Sequence, residues 1–469
     1  MLSRLFAAAC FLSMSALAQE LDTVISRGFV VDPETKLQAV RDVGIRDGRI
    51  AAVSESPLHG RETIDARGLV VTAGFIDLHQ HGQTPENYAF KARDGVTTAL
   101  ELEVGVRSVA AWYAERAGKA LINFGASAGH IPARMAVFND SGGLLPKDRA
   151  ILPQATSQQL SGILAILSRG LNEGALGVGM GIAYTPGATR EEIFRIFQLA
   201  AARRRTVFVH LRSSGPVEPG GLDALQEVLS DAAATGARLH VVHITSSELR
   251  ETPLALEMIH SAARQNVKVS TEAYPYTAGM TDISSAIFSE GWQQRNGGIT
   301  FKDLQWAQTG ERLTEESFAR YRQQGGMVAI HSIPEDVVRA AVTAPDVMIA
   351  SDGILENGKG HPRAAGTYAR VLGRYVRQQH LLSLMDALAK MSLLPANLLG
   401  FSNKGRLQPG ADADITIFDP EKVIDRATFE NPAQYSEGIP YVMVGGTWIV
   451  KNSEIQPGLF PGKAVRYAN

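Results

Sequence analysis

Two histidines close an apolar run, Val71-Thr72-Ala73-Gly74-Phe75-Ile76-Asp77-Leu78-His79-Gln80-His81. Successive strand side chains point to opposite faces, so His79 and His81 share a face and can close on one ion. Imidazole nitrogens bind zinc at about 2.0–2.1 Å, and a pair of them on a strand end supplies half a site. Further ligand-type residues also end apolar runs: Glu103 after Leu102, His210 after Val207-Phe208-Val209, His243 after Val241-Val242, and Asp352 after Met348-Ile349-Ala350-Ser351. A single strand-end histidine is more often a hydrogen-bonded core residue, but the set taken together reads as a metal centre. Glu101 and Glu103 lie on one strand face and either could bridge two metals; Glu103, nearer the strand end, is preferred. Asp352 could be a helix N-cap or an outlying carboxylate. Its strand-end place favours a group that takes a proton from water and returns it to a leaving amine. Arg363, in the loop His361-Pro362-Arg363, suits bidentate capture of a carboxylate. His240 is out of phase with His243 and reads as structural, while His130 and His331 fit either as partners behind the ligands or as ordinary loop histidines.

Positioning these residues requires strands that converge. Apolar β-type runs at 75–81, 97–103, 121–126, 176–181, 206–211, 239–244, 267–273 and 347–352 alternate with helical patterns. That alternation is the mark of a parallel sheet with helices outside, and it suits an α/β (β/α)8 TIM-type barrel of about 250 residues, whose active site lies where the strands end. Thr189-Arg190-Glu191-Glu192 is a capping box that opens one of the helices. A ninth apolar run, 326–331, fits no simple barrel count. The stretch 281–325, polar with Trp292 and Trp306, reads as a lid or a surface insertion. Short β-runs with tight turns such as Asp47-Gly48 fill both ends of the chain and predict a small β-sandwich domain from 19–72 and 402–469, around a barrel of 73–401.

The composition narrows the function classes. Among 469 residues, 46 Lys and Arg face 48 Asp and Glu, a net charge of −2 that gives no sign of a nucleic-acid or membrane-surface partner. The partner to expect is a small-molecule substrate, with a homo-oligomer possible. Residues 1–18 combine a short basic start, an apolar run and Ala16-Leu17-Ala18, the pattern of a secretory signal peptide cut before Gln19. The apolar run is shorter than the ~20 residues that span a bilayer, so a secreted or periplasmic protein with no membrane attachment after cleavage is expected. Cys10 is the only cysteine and falls in that leader. The mature chain then has no thiolate, and its metal must be held by histidine and carboxylate.

Gly74-Phe75-Ile76-Asp77-Leu78-His79-Gln80-His81 resembles the opening metal motif of the amidohydrolase superfamily, which joins a (β/α)8 barrel to a β-sandwich made from both chain ends. Tyr274-Pro275-Tyr276-Thr277-Ala278-Gly279, Ala350-Ser351-Asp352-Gly353 and His361-Pro362-Arg363 are similar to segments of the N-acyl-D-amino-acid deacylases (D-aminoacylases). The resemblance implies that His79 and His81 bind one metal, that His210 and His243 bind the other, and that Asp352 is general base and acid. It further implies that Arg363 and Tyr276 hold the substrate carboxylate. Those deacylases commonly carry a bridging cysteine after the second strand, where this chain has Glu103 or Glu101. They often place a lysine where this chain reads Thr245. The expected activity is zinc-dependent deacylation of N-acyl amino acids of the D series, with one or two Zn2+ or another divalent ion. The rivals are a dipeptidase, a cyclic-imide or hydantoin hydrolase or a xenobiotic amidase, and, from another class, a non-catalytic periplasmic binding protein.

Overall fold

The computed structural model describes residues 20–467, so the candidate leader 1–18 and Cys10 lie outside the described residues. Eight parallel strands pair in sequence order: β1 (Phe75–Asp77), β2 (Val96–Val106), β3 (Asn123–Gly129), β4 (Gly177–Gly181), β5 (Thr206–His210), β6 (Arg238–Val241), β7 (Val269–Ala273) and β8 (Val347–Ile349). Strands flanked by helices are buried on both faces and read as continuous apolar runs, as in β5, where Thr206 to Val209 are all buried. Only half of the expected capping box forms: the Thr189 hydroxyl accepts from the Glu192 N–H at 3.1 Å and opens the helix Arg190–Ala202, while the Glu192 carboxylate turns to His130 and Arg134 instead of back to the Thr189 N–H. That helix buries Ile193, Ile196, Phe197 and Ala200, three or four residues apart on one stripe.

β1 and β8 are not joined by a ladder, and side-chain and backbone hydrogen bonds just beyond them bring their ends together. The Ser351 hydroxyl donates to Asp77 Oδ2 at 2.6 Å, the Ser351 N–H to Asp77 Oδ1 at 3.0 Å, and the His81 N–H to the Gly353 carbonyl at 3.0 Å. The barrel is therefore tied across its open seam at the level of the ligand-type residues.

Both chain ends meet in one nine-stranded sheet. Its N-terminal part runs from Leu21–Asp32 to Val70–Ala73, and its C-terminal part from Ile415–Phe418 to Glu454–Ile455. The two parts join where Val70–Ala73 pairs antiparallel with Ile415–Phe418. Ile25, Val43, Val71, Ile415, Met443 and Trp448 form its separate core. Asp47 and Gly48 take φ of 51° and 72°, the pair of left-handed residues that a two-residue hairpin turn requires.

The ninth apolar run, Met327–Ile330, is the middle strand of a three-stranded antiparallel sheet with Gly279–Asp282 and Leu304–Trp306. It belongs to an insertion between β7 and β8 with its own core of Ile283, Trp292, Trp306, Tyr321 and Val328. The insertion outruns the polar stretch 281–325 at both ends, because its first strand starts at Gly279 and its middle strand, Met327–Ile330, lies beyond 325. Among the described residues no helix is long and apolar enough to cross a membrane.

Candidate metal centre

The two histidines beyond β1 point their Nε2 atoms at one spot, 3.2 Å apart. What aims them is a second carboxylate behind each ring: His79 Nδ1 meets Glu272 Oε1 at 2.7 Å, and His81 Nδ1 meets Glu101 Oε2 at 2.8 Å. A carboxylate at Nδ1 keeps the proton there and leaves the Nε2 lone pair for a cation. Glu103, near the end of β2, lies in the middle. Its Oε2 is 2.8 Å from His79 Nε2 and 3.1 Å from His81 Nε2. Its Oε1 is 2.8 Å from His210 Nδ1 and 3.7 Å from His243 Nε2. Asp352 adds Oδ1 at 3.5 Å from His79 Nε2 and 3.4 Å from His81 Nε2.

Two donor groups result, His79–His81–Glu103–Asp352 and Glu103–His210–His243, each with its atoms within 4.8 Å of one another. Nitrogen and oxygen donors of this kind suit zinc or a similar divalent ion, and Glu103 belongs to both groups. The set therefore fits the metal that the sequence implies. Glu101 takes the rear position instead, accepting from His81 and from the Gly105 N–H at 3.2 Å.

The electrostatics follow from this crowding. Burial opposes a charge on His79, but Asp352 and Glu272 outweigh it and push the imidazole up to about 10. Burial likewise works against Glu103, yet hydrogen bonds from His210, His243, His79 and His81 hold it well below the usual carboxylate range. Asp352 is also held low against burial, first by Arg363, whose Nη2 lies 2.8 Å from Asp352 Oδ2. His243 and Asp352 both have left-handed backbone, with φ of 31° and 50°. Such conformations cost energy in non-glycine residues and cluster where side chains must be aimed at a site.

A cavity of about 640 Å³ opens onto His81, Glu103, His210, His243, Asp352 and Arg363. Arg363 is buried, and its Nε and Nη1 have no hydrogen-bond partner. Its guanidinium lies 4.5 Å from the centre of the Tyr274 ring, and the Tyr274 hydroxyl is also without a partner. Tyr276, the residue expected to hold substrate, is placed otherwise. It is absent from the cavity wall, and its hydroxyl points at the Pro362 carbonyl at 3.4 Å with Arg370 over its ring. The reason is local: β7 ends at Ala273, and the Tyr276 N–H turns back to the Tyr274 carbonyl, which breaks the alternation that would have given the two tyrosines one face.

Residues 70–449 match the amidohydrolase family. The chain belongs to that family. The chain is 29% identical to the N-acyl-D-glutamate deacylase of Alcaligenes xylosoxydans xylosoxydans, covering 96% of this chain and 97% of the relative. An N-acyl-D-glutamate deacylase structure from Bordetella bronchiseptica, complexed with zinc and a phosphonate inhibitor that mimics the tetrahedral intermediate, superposes with a TM-score of 0.83. Its identity is 29%, with 96% of this chain and 100% of that chain covered. A D-aminoacylase whose structure concerns a binuclear metal centre gives a TM-score of 0.82 at 26% identity, with 95% and 100% covered.

Other residues of this amidohydrolase settle into supporting places. His240 donor and acceptor atoms meet Ser270 Oγ at 2.8 Å and Glu272 Oε2 at 3.1 Å, the structural role expected of it. His130 lies 2.7 Å from Glu192, and His331 3.0 Å from Gln305; neither belongs to a donor group. Thr245 is buried and its hydroxyl has no partner. Glu272, Tyr274 and Ser351 are the site residues that sequence reasoning missed. Each adjoins a recognised signal, but what gives it a role is contact with a residue far away in the chain.

Proposed function

We propose that this chain is a metal-dependent deacylase that hydrolyses N-acyl amino acids of the D series to a carboxylate and a free amino acid. Glu103 carries the reading: one carboxylate reaches both histidine pairs at the mouth of a cavity that also exposes Asp352 and Arg363. His79, His81 and Glu103 would hold one zinc ion, and His210, His243 and Glu103 a second. A divalent ion in such a place supplies Lewis acidity, polarising a carbonyl and making water nucleophilic near pH ~7.

The chain's own groups perform the rest. Asp352, ionised and within reach of the donor cluster, takes a proton from the attacking water and delivers it to the leaving nitrogen. Arg363 and Tyr274 offer buried donors without partners to the substrate carboxylate; leaving such a donor unpaired costs about 1–3 kcal/mol, so an arriving carboxylate is favoured. The D preference is supported by the relatives, which are named for N-acyl-D-glutamate and D-amino acids. The leader 1–18 supports export to the periplasm or beyond.

The test pairs zinc analysis of the purified chain with hydrolysis of matched N-acetyl-D- and N-acetyl-L-amino acids. D-amino acid release that is lost on chelation and restored by zinc is the expected result. Preference for the L series, or for hydantoins over linear amides, would contradict the reading.

A further inference from the structure

One wall of the cavity comes from residues 139–156, between the helices His130–Phe138 and Ser157–Asn172, a stretch with no regular secondary structure. Gly142 to Lys147 line the cavity in company with Glu103 and His210. Such a segment has no ladder to satisfy its backbone N–H groups, and something must take them. Asp140 takes four. Its Oδ1 accepts from Gly142 at 2.9 Å and Lys147 at 2.9 Å, and its Oδ2 from Asp148 at 3.0 Å and Ala150 at 2.8 Å. Burial acts against the charge, but these four N–H groups keep the carboxyl well below its ordinary range.

The far margin of the loop is fastened separately. Arg134, buried and held by Glu192 at 2.6 Å, donates its Nε to the Ala150 carbonyl at 2.8 Å and also reaches the Pro153 carbonyl. Between these clamps the loop is closed tightly: a Cβ on Gly142 would lie 2.2 Å from the Leu145 carbonyl oxygen. The residues it contributes to the lining are Leu144, Leu145 and Pro146, followed by the exposed Lys147, for which no ion pair is found among the described residues. Leu144 is 40% exposed, a large apolar group left uncovered at this edge.

We propose that Asp140 is a positioning residue that holds the 141–150 loop as a preformed wall, and that this wall selects the variable part of the substrate. The inference rests on the deacylase reading for its substrate. The wall is apolar and ends in one ammonium, so it distinguishes apolar from acidic variable groups. Asp140 touches no reacting atom; it acts through the backbone it gathers. Asn at this position is nearly isosteric, yet it puts an amide NH2 where one oxygen accepted two N–H groups, so half of the clamp turns repulsive.

The test uses the zinc-loaded full chain. Hydrogen exchange over 141–150 is compared for wild type and Asp140→Asn, and KM and kcat are measured separately for N-acetyl-D-leucine and N-acetyl-D-glutamate. Asp140→Asn should deprotect the loop and raise KM about tenfold, with kcat within about twofold, because a lost binding wall removes affinity shared by ground and transition states. Leu144→Ala and Lys147→Ala leave the backbone clamp in place; the first should weaken the leucine substrate more, the second the glutamate substrate more. Unchanged exchange in Asp140→Asn overturns the clamp. Deprotection with unchanged KM, or a fall in kcat alone, overturns the selecting wall. A wild type inactive on every N-acyl amino acid would sink the deacylase reading instead, and the exchange measurement would still judge the clamp.

Discussion

His130, Glu192 and Arg134 bring together an imidazole, a carboxylate and a guanidinium, as His81, Asp352 and Arg363 do, but the two clusters are built to different ends. In the first, Arg134 spends its donors on Glu192 and on the carbonyls of Ala150 and Pro153, and Glu192 accepts from both His130 and Arg134. The Glu192 carboxylate is shared between the guanidinium and one imidazole nitrogen, His130 Nδ1 is left without a partner, and none of the three residues lines the cavity at the donor groups. In the second, four imidazoles converge on a single carboxylate, Glu103, while Arg363 keeps two N–H groups without partners beside an open cavity. A buried histidine–acid pair is therefore no sign of chemistry in itself. Convergence of several lone pairs, with unspent donors next to them, is.

Substitution should separate the clusters, and the largest effect belongs to the cavity. Asp352→Asn should lower kcat by about 10³-fold while zinc content stays unchanged, since it removes proton transfer and retains the shape. Zinc analysis and steady-state kinetics on one preparation check this, and near-normal turnover would refute the role.

The next effect belongs to the other cluster. Glu192→Gln leaves the Arg134 charge buried without its counterion and should cost about 3–5 kcal/mol of stability. Denaturant unfolding reads the loss, and the folded fraction should bind zinc as wild type does. Loss of zinc would erase the distinction between the clusters.

The last comparison concerns a third buried acid, Glu248, which has neither kind of partnership. It is fully buried, both oxygens lack hydrogen bonds, and burial followed by repulsion from Glu251 raises it to about 8. The folded protein then holds a proton that the unfolded chain releases near 4.5, so this group makes stability fall as pH rises from about 4.5 to about 8. Glu248→Gln should flatten that part of the stability profile; an unchanged slope would show that Glu248 is ionised and paired.

Much of this was legible in the sequence, for physical reasons. Parallel strands buried on both faces leave long apolar runs, and all eight runs correspond to barrel strands. His210 is the last residue of β5, Glu103 lies within the last part of β2, and His243 and Asp352 sit just beyond β6 and β8, so their convergence followed from the fold. What remained hidden depends on contacts without local pattern. Glu272 looked like an ordinary strand residue because its partner, His79, is 193 positions away. Tyr276 rested on the resemblance alone, and the turn after Ala273, which no local pattern announces, is what gives the cavity wall Tyr274 in its place. Met327–Ile330 has a strand's composition, and only its antiparallel neighbours show that it lies outside the barrel. Asp140 was invisible for a similar reason: its four partners are backbone N–H groups, which carry no residue identity.

The central claim is that Glu103 joins two donor groups into one centre, and Glu103→Ala tests it most directly. Zinc per chain is measured for wild type and variant under the same loading, together with hydrolysis of N-acetyl-D-amino acids. The account predicts a marked fall in bound zinc and loss of turnover, with the fold intact by circular dichroism. A variant that keeps wild-type zinc content and hydrolyses its substrate at the wild-type rate would contradict it.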